Sequence, residues 1–325
     1  MNINEIAKLS KVSKGTVSRV LNGGSVKPET RERVLKVIRE NNYVPSHAAR
    51  SLFNRKSNKV LVVLPNFSNP FYVKVIEGIS KSLAMKDYKM LLYVHDHKNE
   101  PLESFIDLVR SGTADGAIVL ENISDESTLK KVVESTDVPI VQCSEYNETI
   151  DIPTVTIDNY KASRDACQHL VDSGCKFLYF VNAEKKYTFS KLRKQGFVDI
   201  CKENNINYEV IDTTLDIEGG LQALDKINLD SNMKVGVFCI SDVVAFGIIK
   251  GAHKKLINIP DSLAIVGFDN IELCEMITPE LTTVSQEMSC MGAKAGELII
   301  EYIENGEVLQ QKLIYKHKLI KRNTT

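Results

Sequence analysis

Two kinds of hydrophobic pattern follow each other along the chain. In the first 45 or so residues, apolar side chains recur three or four positions apart, as they do on one face of a helix. From Lys59 onward, short continuous apolar runs such as K-V-L-V-V-L alternate with segments of helical period. Continuous runs of this kind are typical of strands that are buried on both faces of a parallel sheet. The pattern therefore predicts a small all-α head followed by an α/β body.

The head pattern predicts three short helices. Asn2 and Glu5 have the spacing of a capping box before the first helix, Ser13 is placed to cap the second, and Pro28 suits the first turn of the third. The second helix separates apolar from polar positions. Its apolar face comprises Val17, Val20 and Leu21, and its outer face comprises Lys14, Gly15, Ser18, Arg19 and Asn22.

Two helices joined by a tight turn, the second with a basic outer face, match the helix-turn-helix plan, in which the second helix enters the major groove of DNA. In that geometry Lys14 and Arg19 can donate to guanine edges. The hydroxyl groups of Ser13, Thr16 and Ser18 can hold phosphates. A three-helix bundle with a solvated basic face fits the same pattern and stays an alternative.

The charge distribution separates the head from the body. Residues 1–60 contain 13 Lys and Arg against 4 Asp and Glu, and the remaining residues contain 28 against 38, although the whole chain has a net charge of only −1. A basic head on an acidic body indicates that the head meets a polyanion and the body does not.

The body pattern predicts doubly wound parallel sheets, because apolar runs and helical segments alternate over most of its length. Helices are expected at about 69–86, 99–111 and 288–304. Strands are expected at 59–65, 89–95, 116–120, 139–144, 154–158, 177–182, 208–212, 234–241, 263–269 and 311–320.

Ligands of open α/β sheets bind beyond the carboxyl ends of the strands, so residues that directly follow a strand are candidates. Asn66, Phe71 and Tyr72 follow the first strand of the body. Aromatic faces suit sugar rings or nucleobases, and an Asn side chain suits hydroxyl groups. Packing in the core explains the two aromatic residues equally well, and that alternative stays open.

Signatures of catalysis and of cofactor binding are missing from the sequence. It contains no P-loop, no G-x-S-x-G and no H-E-x-x-H motif, and its seven cysteines occur singly without a C-x-x-C pair. The first residues, M-N-I-N-E-I-A-K, lack the apolar core of a signal peptide. We therefore expect a cytoplasmic protein that is not an enzyme and uses neither a cofactor nor a metal ion.

A series of motifs resembles the lactose-repressor (LacI/GalR) family of bacterial regulators. The motifs occur in the family's order over the whole chain, which is more specific than any single match. They include V-S-K-G-T-V-S-R-V-L-N at 12–22, N-Y-V-P at 42–45, A-A-R-S-L at 48–52, N-P-F-Y at 69–72, I-D-N at 157–159, S-D-V-V-A-F-G at 241–247, V-G-F-D-N at 266–270 and L-T-T-V at 281–284.

The resemblance implies roles for residues of the head. The base-reading positions of the family fall on Lys14, Gly15 and Arg19, and Gly15 has no side chain with which to read a base. Lys11 stands where many helix-turn-helix turns have glycine, which predicts a positive φ. Residues 46–53 resemble the family's hinge helix, which inserts a leucine, here Leu52, into the minor groove. An ordinary linker helix is the alternative for this segment.

For the body, the resemblance implies two lobes of the periplasmic-binding-protein type with an effector between them. Phe189, Arg193, Ser241 and Asp269 fall at family positions that contact effectors, although a single Arg on a helix is often only solvated. Asp242 is expected to cap the helix after Ser241. Glu145 is a further candidate for effector binding. It follows Ser144, which stands where many sugar-responsive relatives carry Asp, and the following run is similar to the cytidine-responsive branch of the family.

The resemblance also implies the division of the chain. We expect a DNA-binding domain at 1–45, a hinge and linker at 46–58, a first lobe at 59–158 with about 286–316, and a second lobe at 159–285 with about 317–325.

The predicted function is that of a homodimeric transcriptional repressor on a pseudo-palindromic operator, controlled by a small polar effector such as a sugar or a nucleoside. A cytosolic solute-binding protein without a regulatory role is the alternative.

Overall fold

The structure is a computed structural model of the 325-residue chain. It describes residues 2–21, 24–41, 56–95, 103–121, 130, 133, 138–146, 150–183, 187–229 and 233–325. No helix within these ranges is long and apolar enough to span a membrane.

Three helices form the head, as predicted: α1 (Ile3–Leu9), α2 (Lys14–Leu21) and α3 (Pro28–Glu40). The predicted capping box at α1 is present, since the Glu5 amide donates to Asn2 Oδ1 over 3.1 Å and the Asn2 amide donates to Glu5 Oε2 over 3.0 Å. Ser13 Oγ accepts from the Thr16 amide at the start of α2, at 3.1 Å. The core of the head consists of Ile6, Ala7, Val17, Val20 and Val34.

The turn between α1 and α2 contains the predicted positive φ. Lys11 has φ 51°, a left-handed conformation that glycine adopts at lower cost. The turn keeps the Val12 amide bonded to the Ala7 carbonyl at 3.0 Å. The residue with the positive φ thus lies in the turn that joins α1 to α2.

The body consists of two lobes, and each lobe has a six-stranded sheet within the described residues. In the first sheet the strand order is β11-β5-β4-β3-β1-β2, and all pairs are parallel. These strands are β1 (Lys59–Leu64), β2 (Lys89–Val94), β3 (Gly116–Val119), β4 (Ile140–Cys143), β5 (Thr154–Ile157) and β11 (Lys312–Tyr315).

In the second sheet the order is β12-β10-β9-β8-β6-β7, and only β12 runs antiparallel to its neighbour among the described pairs. Its strands are β6 (Phe177–Asn182), β7 (Asn207–Asp212), β8 (Val235–Cys239), β9 (Leu263–Asp269), β10 (Thr282–Ser285) and β12 (Lys318–Ile320). The predicted doubly wound architecture is confirmed.

Helices cover both sheets. In the first lobe these are α4 (Phe71–Ala84), α5 (Glu103–Arg110) and α10 (Met288–Asn305). In the second lobe they are α6 (Asn159–Asp172), α7 (Thr188–Glu203), α8 (Ile217–Leu224) and α9 (Asp242–Lys254), with a 3₁₀ helix at Glu272–Glu275.

The chain crosses between the lobes three times, between β5 and α6, between β10 and α10, and between β11 and β12. The prediction of one strand at 311–320 was wrong, because this segment makes its last crossing at Lys316 and His317 and contributes one strand to each sheet. The strand β10 was not predicted. Its sequence T-T-V-S is polar, and inside the lobe its polar groups are hydrogen-bonded. For example, the Thr282 amide donates to Thr324 Oγ1 at 2.9 Å.

Helices α4 and α10 approach closely at two glycines. A Cβ atom on Gly78 would overlap the Ser289 carbonyl, and one on Gly292 would overlap the Val75 carbonyl. Both obstacles are backbone atoms, which cannot rotate away. The return of α10 to the first lobe therefore depends on the absence of side chains at these two positions.

We expect Gly78→Ala to destabilise the body by about 1–3 kcal/mol, because the added methyl forces the two helices apart. Chemical unfolding of the purified protein measures this loss. The control is Ser80→Ala on the exposed side of α4, which should change the stability by less than about 0.5 kcal/mol. Equal stability of the two variants would contradict the close approach.

Candidate functional site

A small cavity of about 50 Å³ lies between the two lobes. Its walls come from α4 and from the loops after β3 and β4 in the first lobe, and from α7 and the loops after β7, β8 and β9 in the second. The residues that line it are Asn69, Phe71, Tyr72, Leu120, Ser144, Glu145, Phe189, Arg193, Leu215, Ile240, Ser241, Asp269 and Gln286. The cavity thus lies where ligands of open α/β sheets bind.

Most of the predicted effector-binding residues line this cavity. They are Phe71, Tyr72, Glu145, Phe189, Arg193, Ser241 and Asp269. Asn66, which was also a candidate, does not line the cavity. Its side chain is exposed and accepts from the amide and hydroxyl of Ser68, at 3.0 and 2.8 Å, because the chain turns there before α4 begins. Asn69 takes the place at the cavity.

The two aromatic residues of α4 differ in their surroundings. Phe71 is 5% exposed and belongs to the large core, so the core-packing interpretation and the lining of the cavity both apply to it. The Tyr72 ring meets the Phe71 ring edge-on, with 5.4 Å between centroids. Burial, and then the interactions with Tyr187 and with nearby carboxylates, raise the pKa of the Tyr72 hydroxyl, which therefore stays a neutral donor and acceptor.

Arg193 is the cation of the cavity and is only 4% exposed, so the interpretation of a solvated helix residue was wrong. Its Nε donates to Asn159 Oδ1 at 2.9 Å and its Nη1 donates to the Ile240 carbonyl at 2.6 Å. The guanidinium carbon lies 3.4 Å from the centroid of the Phe268 ring and 4.8 Å from that of Phe189. Burial lowers the pKa of Arg193 to about 10, and the group remains charged at neutral pH.

Asp269 ends β9 with φ 118°, a conformation that is costly for a residue with a side chain. Its Oδ1 accepts from Gln286 Nε2 at 2.5 Å, which joins the strand end to the crossover before α10. Burial, and then the nearby Asp242, raise the pKa of Asp269. Ser144 in the opposite lobe also has a positive φ, 76°, so strained backbone occurs on both sides of the cavity.

The interpretation of Asp242 as a helix cap was wrong. Ser241 caps α9, since its Oγ accepts from the Val244 amide at 3.4 Å. Asp242 is fully buried and accepts from the Ile271 amide at 3.0 Å and from Thr283 Oγ1 at 2.5 Å. The Asp242 carboxylate therefore holds the loop after β9 through this backbone hydrogen bond. Burial raises the pKa of Asp242 to about 6.

The Glu145 side chain joins the two lobes. It belongs to the first lobe, yet it accepts from the amides of Thr188, at 3.0 Å, and Phe189, at 3.3 Å, in the second lobe. It also accepts from the Tyr146 amide at 3.2 Å. The residue is 2% exposed, and burial raises the pKa of its carboxyl to about 7 against the lowering effect of these donors.

Sequence reasoning missed several lining residues. Asn69 stands in the quoted N-P-F-Y motif, and Gln286 directly follows β10, so position could have indicated both. The apolar Leu120, Leu215 and Ile240 carry no comparable signal, because such residues at strand ends usually belong to the core.

On the outer face of α2, the side chains or backbone of Ser13, Lys14, Gly15 and Arg19 are exposed, and Thr16 is half-buried. Ser18 is 5% exposed, so its placement on the outer face was wrong. It is buried next to Val17, on the side of α2 that packs against the head. Asn22 and Leu52 lie outside the described residues.

Among the described residues, no group of three His, Cys, Asp or Glu side chains is placed so that it could hold a metal ion.

Two family matches cover nearly all of the chain. Residues 2–46 match "Bacterial regulatory proteins, lacI family", and residues 57–323 match "Periplasmic binding proteins and sugar binding domain of LacI family". The chain belongs to the LacI family. The resemblance that the motifs carried is therefore confirmed, and the protein is a DNA-binding transcriptional regulator.

Similar proteins agree with this assignment. The ribose operon repressor of Halalkalibacterium halodurans is 34% identical over 99% of this chain and 96% of its own length. The HTH-type transcriptional repressor CytR of Escherichia coli K12 is 29% identical over 99% and 96%. The lac repressor dimer bound to operator and the anti-inducer ONPF has a TM-score of 0.85 at 19% identity, covering 100% of this chain and 98% of that one, which shows the shared fold.

The raised pKa of Glu145 predicts a pH-dependent difference between wild type and Glu145→Gln. The folded carboxyl titrates near 7 and the unfolded one near 4.5, so between these pH values the folded protein binds more protons. Wild type should therefore lose stability relative to the variant as the pH rises from 5 to 8, by about 1–3 kcal/mol. Urea unfolding of both proteins at four pH values measures the difference, and a difference that does not change with pH would contradict the assignment.

Proposed function

We propose that this LacI-family regulator is a homodimeric repressor in which an effector in the cavity between the lobes controls the binding of operator DNA. The observation that carries the proposal is that a basic head with an exposed polar face on α2 shares one chain with a two-lobed body whose charged cavity is lined from both lobes.

The DNA-reading surface of the proposal is the outer face of α2. Lys14 and Arg19 read guanine edges, Gly15 lets the backbone approach the bases, and Ser13 and Thr16 hold phosphates. Asn22 and Leu52 complete the interface, the latter as a wedge in the minor groove. Ser18 is left out of the contacts, because its side chain is buried.

We divide the chain into a DNA-binding domain at 1–45, a hinge and linker at 46–58, and two lobes at 59–158 with about 286–316 and at 159–285 with about 317–325. Two copies that meet through their bodies present two heads to a pseudo-palindromic operator.

The effector is a small polar metabolite, a sugar or a nucleoside. The aromatic rings of Tyr72 and Phe189 suit the ring of a sugar or a base. Arg193 and Asp269 offer a donor and an acceptor to hydroxyl groups. The name of the ribose operon repressor supports a sugar, whereas Ser144 in place of the Asp of many sugar-responsive relatives supports a nucleoside.

The family match and the relatives named as repressors support a binding protein rather than an enzyme. A regulator of bacterial DNA acts in the cytoplasm. A solute-binding protein without a regulatory role is less well supported, since it has no need of the basic head.

The function is tested by selecting an operator from a random duplex library with the full-length protein. Arg19→Ala should weaken binding to the selected operator by about 10- to 100-fold and binding to random DNA much less, because base contacts specify and phosphate contacts only position. The control Arg33→Ala removes an equal charge at an exposed position of α3. It should weaken binding to the selected operator and to random DNA by the same factor. Equal losses on both DNAs for Arg19→Ala would make it a phosphate contact, and a protein that selects no operator would contradict the function.

The effector site is tested with Asp269→Asn, which keeps the shape of the side chain and tolerates the positive φ. Ribose, cytidine and other sugars and nucleosides are first screened for an effect on operator affinity. The active compound should lose most of its effect on the variant, while the variant alone binds operator like wild type. A full response of Asp269→Asn would place the effector elsewhere.

A further inference from the structure

The start of helix α7 lacks a cap of its own. Tyr187, the residue before the helix, makes no side-chain cap hydrogen bond, and the first turn has no acidic residue. The first amides of a helix have no partner within the helix, so a cap or water must satisfy them. Here the partner of two of these amides, those of Thr188 and Phe189, is the carboxylate of Glu145.

The cap comes from the other lobe. Glu145 follows β4 of the first sheet, whereas α7 covers the second sheet. Beside it, Thr188 Oγ1 donates to the Tyr146 carbonyl at 2.8 Å, which also joins the lobes. A negative charge at a helix N-terminus is favourable, and it is more so where water is excluded. Both Glu145 and Thr188 are at least nine-tenths buried, so these bonds lie away from solvent.

We propose that Glu145 is a latch between the lobes, which closes the cleft by capping α7 and must release it before an effector can enter. The proposal rests on the proposed effector function of the cleft. Its geometric basis is the size of the cavity, about 50 Å³, against the roughly 300–1,000 Å³ of clefts that hold small molecules. Widening the cavity requires the lobes to separate at the Glu145 contact, because the latch bridges its two walls.

The latch assigns Glu145 a role other than binding the effector directly. An effector gains its full contacts with Tyr72 and Arg193 only after the Glu145 contact is broken, so the latch sets a threshold that weak or small ligands do not pass. It also couples the order of the first turn of α7 to the angle between the lobes, since both change when the carboxylate leaves. Glu145 is thus a positioning residue of the cleft.

The experiment compares full-length wild type with Glu145→Ala, Glu145→Gln and a matched control, without added metabolites. The control is Glu203→Gln, which removes an acid from the last turn of the same helix. Glu203 pairs with Arg164 of its own lobe, so this variant breaks no contact between the lobes. Hydrogen exchange of the Thr188 and Phe189 amides reports the cap. A spin-label distance between Asp107→Cys on α5 and Lys254→Cys on α9 reports the separation of the lobes.

For the spin labels, Cys290→Ser removes the exposed thiol, since the other six cysteines are buried. Labelled subunits are diluted into unlabelled ones, so that distances arise within one subunit. In Glu145→Ala we expect exchange of both amides to be at least about tenfold faster and the distance distribution to extend to a more open population. Glu145→Gln, which keeps one acceptor oxygen, should lie between wild type and Glu145→Ala, and Glu203→Gln should match wild type.

Faster exchange with an unchanged distance distribution would overturn the latch, because Glu145 would then only cap the helix. No change in either measurement would overturn it as well. If Glu145→Ala does not fold, Thr188→Val removes the neighbouring bond between the lobes and should shift the distance in the same direction. None of these readouts uses DNA or effector, so a failure of the latch and a failure of the proposed function are separate results.

Discussion

Three ionisable side chains, Arg193, Glu145 and Asp269, are buried where the two lobes meet, and their need for hydrogen-bond partners organises the site. A buried charge is costly unless hydrogen bonds or opposite charges replace water. Arg193 finds carbonyl and amide oxygens and two aromatic faces in its own lobe. Glu145 finds its donors in the opposite lobe. A change in the distance between the lobes therefore changes which hydrogen-bond partners these buried side chains have.

The same constraint explains how a body of two lobes can respond to a ligand. Both sheets are packed with buried apolar side chains, which do not deform easily, so we expect movement at the crossovers and at the polar contacts between the lobes. Only a ligand with different affinities for two lobe arrangements can shift the balance between them. The buried charges provide such a difference, because opening the cleft exposes them to water or to the ligand's own polar groups.

Much of the fold could be predicted from the sequence because its strands are continuous runs of β-branched and other apolar residues, as in β1 and β9. The exceptions have physical causes. The strand β10 is rich in Thr and lies inside the lobe only because other buried groups bond to its polar atoms, among them Asp242 to Thr283. The split of 311–320 into two strands depends on the tertiary crossing. The family resemblance implied a crossing near 316, but the local pattern does not show it.

The site was predictable in part for a similar reason. Asp269 ends a strand, and the carboxyl ends of strands are where ligands of such sheets bind. The family resemblance indicated Phe189 and Arg193. The Glu145 contact could not be predicted, since its partners are backbone amides that carry no signature in the sequence. Ser18 shows the opposite error, because a polar residue at the margin of a helix face can pack inward.

Control of DNA binding from the cleft is the central claim, and it requires that effector and operator change each other's affinity by the same factor. The most direct measurement is calorimetric titration of the full-length protein with the active sugar or nucleoside, once alone and once saturated with operator. The account predicts two different effector affinities, whose ratio equals the change in operator affinity that the effector causes. Identical effector affinities with and without operator would contradict it.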